Sequence, residues 1–327
     1  MRTFIALAIV LMASAALAQE KPTTAPAAPR LSKAIPLPGV KGRIDHLAID
    51  PAGKRLFLAA LGNDTVEVID LATNKHAKSL KSFREPQGVA WMDDLKMLAV
   101  ACNSGQVLLF DSDLKALGAL RDYSDADNIR YDPGEKRLYV AFRDGIAIID
   151  PQTRRTVGGI TIAGHPESFQ LERNGPRMFI NIPRQNAVVL ADRKANSVTG
   201  KLPLGDAKAN FPMALDEPHQ RLLVACRAPA RLLLFDLKTT ALASSADCVG
   251  DADDICFDDR TNTAYVIGGE GRISAIAVAS GKLQALDHIS TAPGARTGTI
   301  DVEARRLYVA VPQATGHDAE LRVYELP

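Results

Sequence analysis

A chain of 327 residues could hold two ordinary domains, and its 39 Lys and Arg stand against 38 Asp and Glu, a formal net charge of +1. That balance argues against nucleic acid or another polyanion as the main partner, because such binding draws on a basic stripe that releases counterions. Beyond the N-terminal segment no stretch reaches about 18 consecutive apolar residues, so no membrane span is expected.

In chain order, residues 1–18 read as a secretory signal. Arg2 supplies the positive start, Phe4 to Ala13 is an apolar run too short to span a bilayer, and Ala16-Leu17-Ala18 offers small residues for cleavage before Gln19. No Cys stands at the junction, so no lipid anchor is expected, and the mature chain is expected to be periplasmic or secreted. Residues 19–30, rich in Pro, Ala and Thr, have little to bury and suit a disordered linker.

From residue 31 to 327 one unit repeats seven times. Its anchors, Leu56, Met97, Leu138, Met178, Leu222, Ala264 and Leu307, recur every 40 to 44 residues. In the first copy Leu47-Ala48-Ile49 is a short strand and Asp50-Pro51-Ala52-Gly53 a turn. Arg55 to Ala60 returns, Asn63-Asp64 turns again, Val66 to Asp70 is a third strand, and Lys75 to Phe83 a fourth. Strands at that period define an all-β, seven-bladed β-propeller forming a single domain, each blade burying its faces against its neighbours. The second and third strands are near-continuous apolar runs, such as Leu138 to Phe142 and Ile146 to Ile149, as expected for sheets covered on both sides. The last copy stops at its third strand, Leu321 to Glu325. Ser32 to Gly39 resembles a fourth strand, so the N-terminal segment is expected to close the ring as the outermost strand of the last blade.

Leu58 to Lys75, reading LAALGNDTVEVIDLATNK, resembles the repeat of the YVTN-repeat, YncE-like propellers, as does Ile149 to Thr153 followed by Gly164-His165-Pro166-Glu167. The likeness covers the chain from about Leu31 onward. It implies the fold and says little about function, since the motif consists of strand and turn residues. Copies four, six and seven depart from it at Asn181-Ile182-Pro183, Gly268-Gly269-Glu270 and Gln313 to Glu320.

In such blades the fourth-to-first crossings and the second-to-third turns share one face, and by fold-level analogy that funnel face is where propellers bind. The residues two before each inner strand are Asp45, Gln87, Asp127, Glu167, Phe211, Asp253 and Arg296, followed by His46, Gly88, Asn128, Ser168, Pro212, Asp254 and Thr297. Arg43, Glu85, Asp125, His165 and Asp251 precede them, and the turns add Arg143, Arg184, Arg227, Arg272, His317 and Asp318. The candidate ligand-binding set is Arg43, Asp45, His46, Asp127, Arg143, His165, Glu167, Arg184, Arg227, Asp253 and Arg296. Such loops are also polar simply because they meet water. The sharper expectation is a small polar ligand or an envelope protein partner, with Arg holding carboxylate or phosphate. No cofactor is expected. A divalent metal is an alternative occupant, with oxygen ligands from the Asp residues and nitrogen from His46 and His165.

Asp70, Asp111, Asp150, Asp192 and Asp236 all end a third strand and are expected to bond the following turn. Trp91 is expected to pack, and His76, His219 and His288 to lie away from the funnel. The first three of Cys102, Cys226, Cys248 and Cys256 suit buried free thiols as well as the last; Cys248 and Cys256 are the one plausible disulfide pair. No Gly-x-Ser-x-Gly elbow, phosphate loop, Cys-x-x-Cys or haem-attachment motif occurs. The leading functional expectation is therefore a non-catalytic exported binding propeller. The alternatives are a lactonase-type or metal-assisted hydrolase using Asp127, Glu167 and Asp253, and an envelope scaffold. Convergence of three of the named acids and histidines at metal-binding distance would favour the hydrolase.

Overall fold

Seven antiparallel four-stranded sheets stand around one axis in a computed structural model that describes residues 28–327. The expected signal segment 1–18, and the expected linker as far as residue 27, lie outside the described residues. Strand order within six of the seven sheets follows the chain from the axis outward, as in blade 1: Leu47–Asp50, Arg55–Ala60, Thr65–Asp70 and Lys75–Leu80. The inner strands of consecutive blades touch all the way round, and Gly298–Asp301 of blade 7 packs against Leu47–Asp50 of blade 1.

Closure follows the expected route. Arg30–Pro36 is the outermost strand of blade 7 and runs antiparallel to Glu320–Glu325, with Ala34 opposite Arg322 and Ile35 opposite Leu321. Leu37 then donates its N–H to Ala319 O at 2.8 Å. Ile35 and Leu37 are fully buried in a cluster shared with Leu56 and Leu58 of blade 1 and Tyr308 of blade 7. Burial of an Ile or Leu side chain contributes roughly 1.5–3 kcal/mol, so the closing strand is held by packing as well as by its ladder.

The burial gradient along each blade explains the sequence pattern. Second strands such as Leu138 to Ala141 are buried on both faces, and the aromatics Phe57, Tyr139, Phe179, Tyr265 and Tyr308 fill equivalent places between blades. Outer strands alternate or are exposed, and Val157, Val198 and Leu242 lie open on the rim. The fourth strand of blade 1 ends at Leu80, three residues short of the expected Phe83, because Phe83 leaves the sheet to pack on Phe110 with ring centroids 5.7 Å apart. The third-strand aspartates behave as turn formers: Asp70, Asp111, Asp150, Asp192 and Asp236 each accept backbone N–H groups two to four residues on. All four cysteines are buried and free, and burial pushes the Cys102 thiol up to about 11 and those of Cys226 and Cys248 up to about 12.

Candidate functional site

The funnel residues are aimed at the axis by one backbone device used repeatedly. In blade 1 Asp45 donates its N–H to Ala59 O, while Ala59 donates to His46 O, so two residues face one on the second strand. Asp127 and Asn128 meet Ala141 in the same way, and Glu167 and Ser168 meet Asn181. Such a bulge turns an extra side chain out of the pleat. In blades 2, 5 and 6 the bulge lies inside a longer inner strand than expected, at Pro86/Gly88, Asn210/Met213 and Ala252/Asp254, and places Gln87, Phe211 and Asp253 in the ring. Gly88 is required here, because a Cβ on it would lie 2.0 Å from the carbonyl oxygen of Asp127. The crossing loops of blades 3 and 6 turn back over the axis through Asp125 (φ +63°) and Asp251 (φ +51°), a left-handed conformation that Asp tolerates better than most residues.

The outcome is an axial cavity of about 250 Å³ lined by Arg43, Gln87, Asp125, Asp127, His165, Glu167, Phe211, Arg227, Asp253 and Arg296. Seven of the eleven sequence candidates therefore share one wall. Asp45 lies beneath them, 1% exposed and 3.0 Å from Arg43. His46 is deeper still. Arg143 and Arg184 stand exposed on the same face, outside the lining, because their turns point them into solvent. Their reach is electrostatic: burial lowers the His165 pKa against the pull of Asp125, and Arg184 and Arg143 lower it further, which keeps the imidazole neutral.

Two halves of the cavity differ in charge. On one side Arg227 contacts Asp253 at 2.6 Å and Asp251 at 3.4 Å, Arg296 contacts Asp251 at 3.1 Å, and Arg43 reaches Asp253 at 3.7 Å. Phe211 lies under the Arg227 guanidinium with its ring centroid 3.7 Å away, a cation–π contact that fixes the arginine. On the other side, among the described residues, no Lys or Arg nitrogen lies within 4.0 Å of Asp127 or Glu167. Burial and the neighbouring carboxylates Asp45 and Asp253 push Asp127 up to about 7, and burial together with Asp127 and Asp253 pushes Glu167 up to about 8. Ligand atoms of Asp127, His165 and Glu167 all lie within 4.8 Å of one another, and His165 Nδ1 is buried without a hydrogen bond. Two carboxylate oxygens and one neutral imidazole form a donor set suited to a first-row divalent cation. No Ser, Thr, Cys or Lys lines the cavity, so a covalent nucleophile there would have to be a carboxylate or the imidazole.

His46 forms the floor. Its Nδ1 is 3.4 Å from Asp254, and its Nε2 is 3.1 Å from the Asn128 amide and 3.7 Å from both Asp45 and Asp127. Burial alone would depress it, but Asp254, Asp45 and Asp127 outweigh burial and raise it to about 10. His46 is therefore an imidazolium at neutral pH. A protonated Nε2 needs an acceptor, and turning the Asn128 amide over supplies its carbonyl oxygen there.

Three of the other four histidines are absorbed elsewhere: His76 contacts Glu67 at 2.6 Å, His219 contacts Asp216 at 2.9 Å and His288 faces Ser274; the fourth, His317, is exposed in its turn, its Nδ1 3.0 Å from the Asp318 carbonyl oxygen. Trp91 packs on Phe57 at 5.7 Å, as expected, and its edge also lines the far end of the channel. Arg130, at that far end, carried no signal in the sequence because it sits inside an inner strand, Ile129–Asp132, rather than in a loop.

No family model matches this sequence, and no curated protein matches it. Among solved structures, a chain of the mitotic checkpoint complex is 13% identical over 98% of this chain and 99% of its own, with a TM-score of 0.78. The RRP9 WD40 repeats are 11% identical over 93% of this chain and 100% of theirs, with a TM-score of 0.81. A chain of hydrazine synthase from Kuenenia stuttgartiensis is 14% identical over 87% and 97%, with a TM-score of 0.74. Likeness at such low identity establishes architecture alone: this chain is a WD40-like, seven-bladed β-propeller closed by its N-terminal strand.

Proposed function

We propose that this protein is an exported, non-catalytic propeller of the YncE-like type that holds a small polar ligand on its funnel face, with a positive centre seated between Asp127, His165 and Glu167. One observation carries this reading: every arginine lining the cavity contacts Asp45, Asp251 or Asp253, whereas Asp127 and Glu167 have no Lys or Arg nitrogen within 4.0 Å among the described residues. Two carboxylates held together away from water repel each other, and an incoming cation relieves that repulsion. A divalent metal ion meets all three donors at once, while a ligand's ammonium group meets the two carboxylates. Protein partners fit the same face, since a Lys side chain presents the same ammonium, and the similar folds seen in a mitotic checkpoint complex and in RRP9 make a partner a natural occupant.

The test is a thermal-shift and calorimetric titration of the mature protein with Mn²⁺, Zn²⁺, Ca²⁺, small amines and small carboxylates. Mn²⁺ or Zn²⁺ is expected to raise the midpoint in proportion to the logarithm of its concentration, and Asp127→Ala and Glu167→Ala to abolish that rise. No shift with any cation or amine would overturn the reading.

A second reading, metal-assisted hydrolysis of a lactone or ester, is favoured by the same convergence of Asp127, His165 and Glu167. It requires turnover of a lactone panel that Mn²⁺ restores after chelation. Binding of the ion without turnover leaves the non-catalytic reading standing.

A further inference from the structure

The axial channel has a second mouth on the opposite face, a cavity of about 790 Å³ that no funnel residue except the floor, His46 and Asp254, reaches. Its walls are inner-strand side chains, among them Ile49, Val89, Trp91, Met213, Phe257 and Ile300. Polar groups such as Asp93, Asp94, Gln170 and Thr299 share the lining, and among these mixed walls stands Arg130. Its Nη1 donates to the carbonyl of Ile129 at 2.9 Å, and its guanidinium lies 5.6 Å from the Phe169 ring centroid. Among the described residues no carboxylate oxygen lies within 4.0 Å of it. Burial, against the more distant attraction of Asp254 and Asp127, holds its pKa below the ordinary arginine value.

Every acid near this mouth is already engaged. Asp254 accepts from Gly298 N at 2.9 Å and faces His46. Asp93 holds Lys96 and the Trp91 indole, and Asp94 accepts from the Tyr131 hydroxyl at 3.1 Å. Arg173, exposed at the rim, adds a second guanidinium without an ion pair among the described residues. A guanidinium with most of its N–H donors free, in a pocket whose walls include Trp91, Met213 and Phe257, matches a planar anion on a partly apolar body.

We propose that this mouth binds a small organic monocarboxylate with an aliphatic or aromatic body, its carboxylate paired with Arg130 and its body against Trp91, Met213 and Phe257. The proposal is independent of the funnel, whose proposed occupant is cationic. A monoanion is specified because, among the described residues lining this cavity, Arg130 is the one deep cation not facing a carboxylate, and Asp254 stands nearby to repel a second negative charge.

Trp91 is the only tryptophan of the chain, so its fluorescence reports this cavity. The mature protein is titrated with octanoate, phenylacetate, octanol, octylamine and inorganic phosphate. Octanoate or phenylacetate is expected to change Trp91 emission saturably, at least tenfold more tightly than octanol, with no response to octylamine or phosphate. Arg130→Gln is expected to remove that preference over octanol and Arg130→Lys to keep part of it. Arg184→Ala, exposed on the funnel face and outside the lining of both cavities, is expected to leave the titration unchanged. Equal response to octanoate and octanol in the wild type, no saturable response to either carboxylate, or loss of octanoate binding in Arg184→Ala would each overturn the proposal. The wild-type comparison decides even if Arg130→Gln fails to fold.

Discussion

The two mouths of one axis are built from the same strands yet carry opposite chemistry. The funnel mouth is made of bulges and crossing loops, so its wall is a ring of acids, arginines and one neutral imidazole. The far mouth is made of the inner strands themselves, whose Ile, Val, Trp, Met and Phe side chains share the lining with polar ones such as Gln170 and Thr299, with Arg130 set among them. The acids without a Lys or Arg partner, Asp127 and Glu167, sit at the first, and the arginine without a carboxylate partner, Arg130, at the second, among the described residues. His46 separates them, touching Asp45 and Asp127 on one side and Asp254 on the other. A propeller thus places polar groups where the ladder is interrupted and apolar ones where it is intact, because only an interrupted ladder frees a side chain from packing.

The largest expected effect comes from removing the divider. His46→Ala leaves Asp45, Asp127 and Asp254 without their shared imidazolium, and loss of one partner from a buried charge cluster typically costs about 3–5 kcal/mol. Urea unfolding should show the drop as a lower midpoint at an unchanged slope. An unchanged midpoint would mean that the three carboxylates do not depend on this imidazolium.

Next in size is loss of cation binding. Glu167→Gln keeps the shape of the funnel wall and removes one charge, so Mn²⁺ affinity should fall by about tenfold or more, a loss read by calorimetry, while the octanoate titration at the far mouth stays as in the wild type. A fall at both mouths would contradict their independence.

The pH dependence is smaller and has a defined sign. Asp127, Glu167 and Asp253 titrate at about 7, 8 and 6 in the folded chain, above their unfolded values, so the folded state holds more protons than the unfolded one. His46, raised to about 10, adds stability that is complete below its unfolded pKa and fades as pH climbs toward 10. Both effects run the same way: the metal-free protein should lose stability steadily from pH 5 to pH 9. Saturating Mn²⁺ should flatten that decline, since the ion replaces protons at Asp127 and Glu167. Thermal midpoints across the range provide the measurement, and a rise with pH in the metal-free protein would contradict the charge assignment.

The smallest effect is expected at Arg143 and Arg184. Both are exposed and outside the cavity lining, so replacing either by Ala should leave the unfolding midpoint and Mn²⁺ affinity unchanged within about twofold. A large loss would place the ligand's outer part against these turns.

The repeat made the ring of funnel residues legible. Aligning seven copies put Asp45, Gln87, Asp127, Glu167, Phe211, Asp253 and Arg296 at one level, and six of them line the cavity. What the alignment lacked was depth: Asp45 and His46 point below the cavity, and the bulges that decide this leave no residue signature except Gly88. Which acids carry a counter-charge was equally hidden, because Arg227 reaches Asp253 across 26 residues and Arg296 reaches Asp251 across 45.

The amino-acid order alone settled the number of blades, the strand order within them and the closing partnership of Ala34 to Leu37 with the C-terminal strand, since period, turn chemistry and apolar runs are local properties. Tertiary structure decided which charges pair, which stay alone and where Arg130 and His46 sit on the axis. Those outcomes depend on distances of a few ångströms between different blades, and Coulomb energies at such distances are set by burial and neighbours that no single repeat contains.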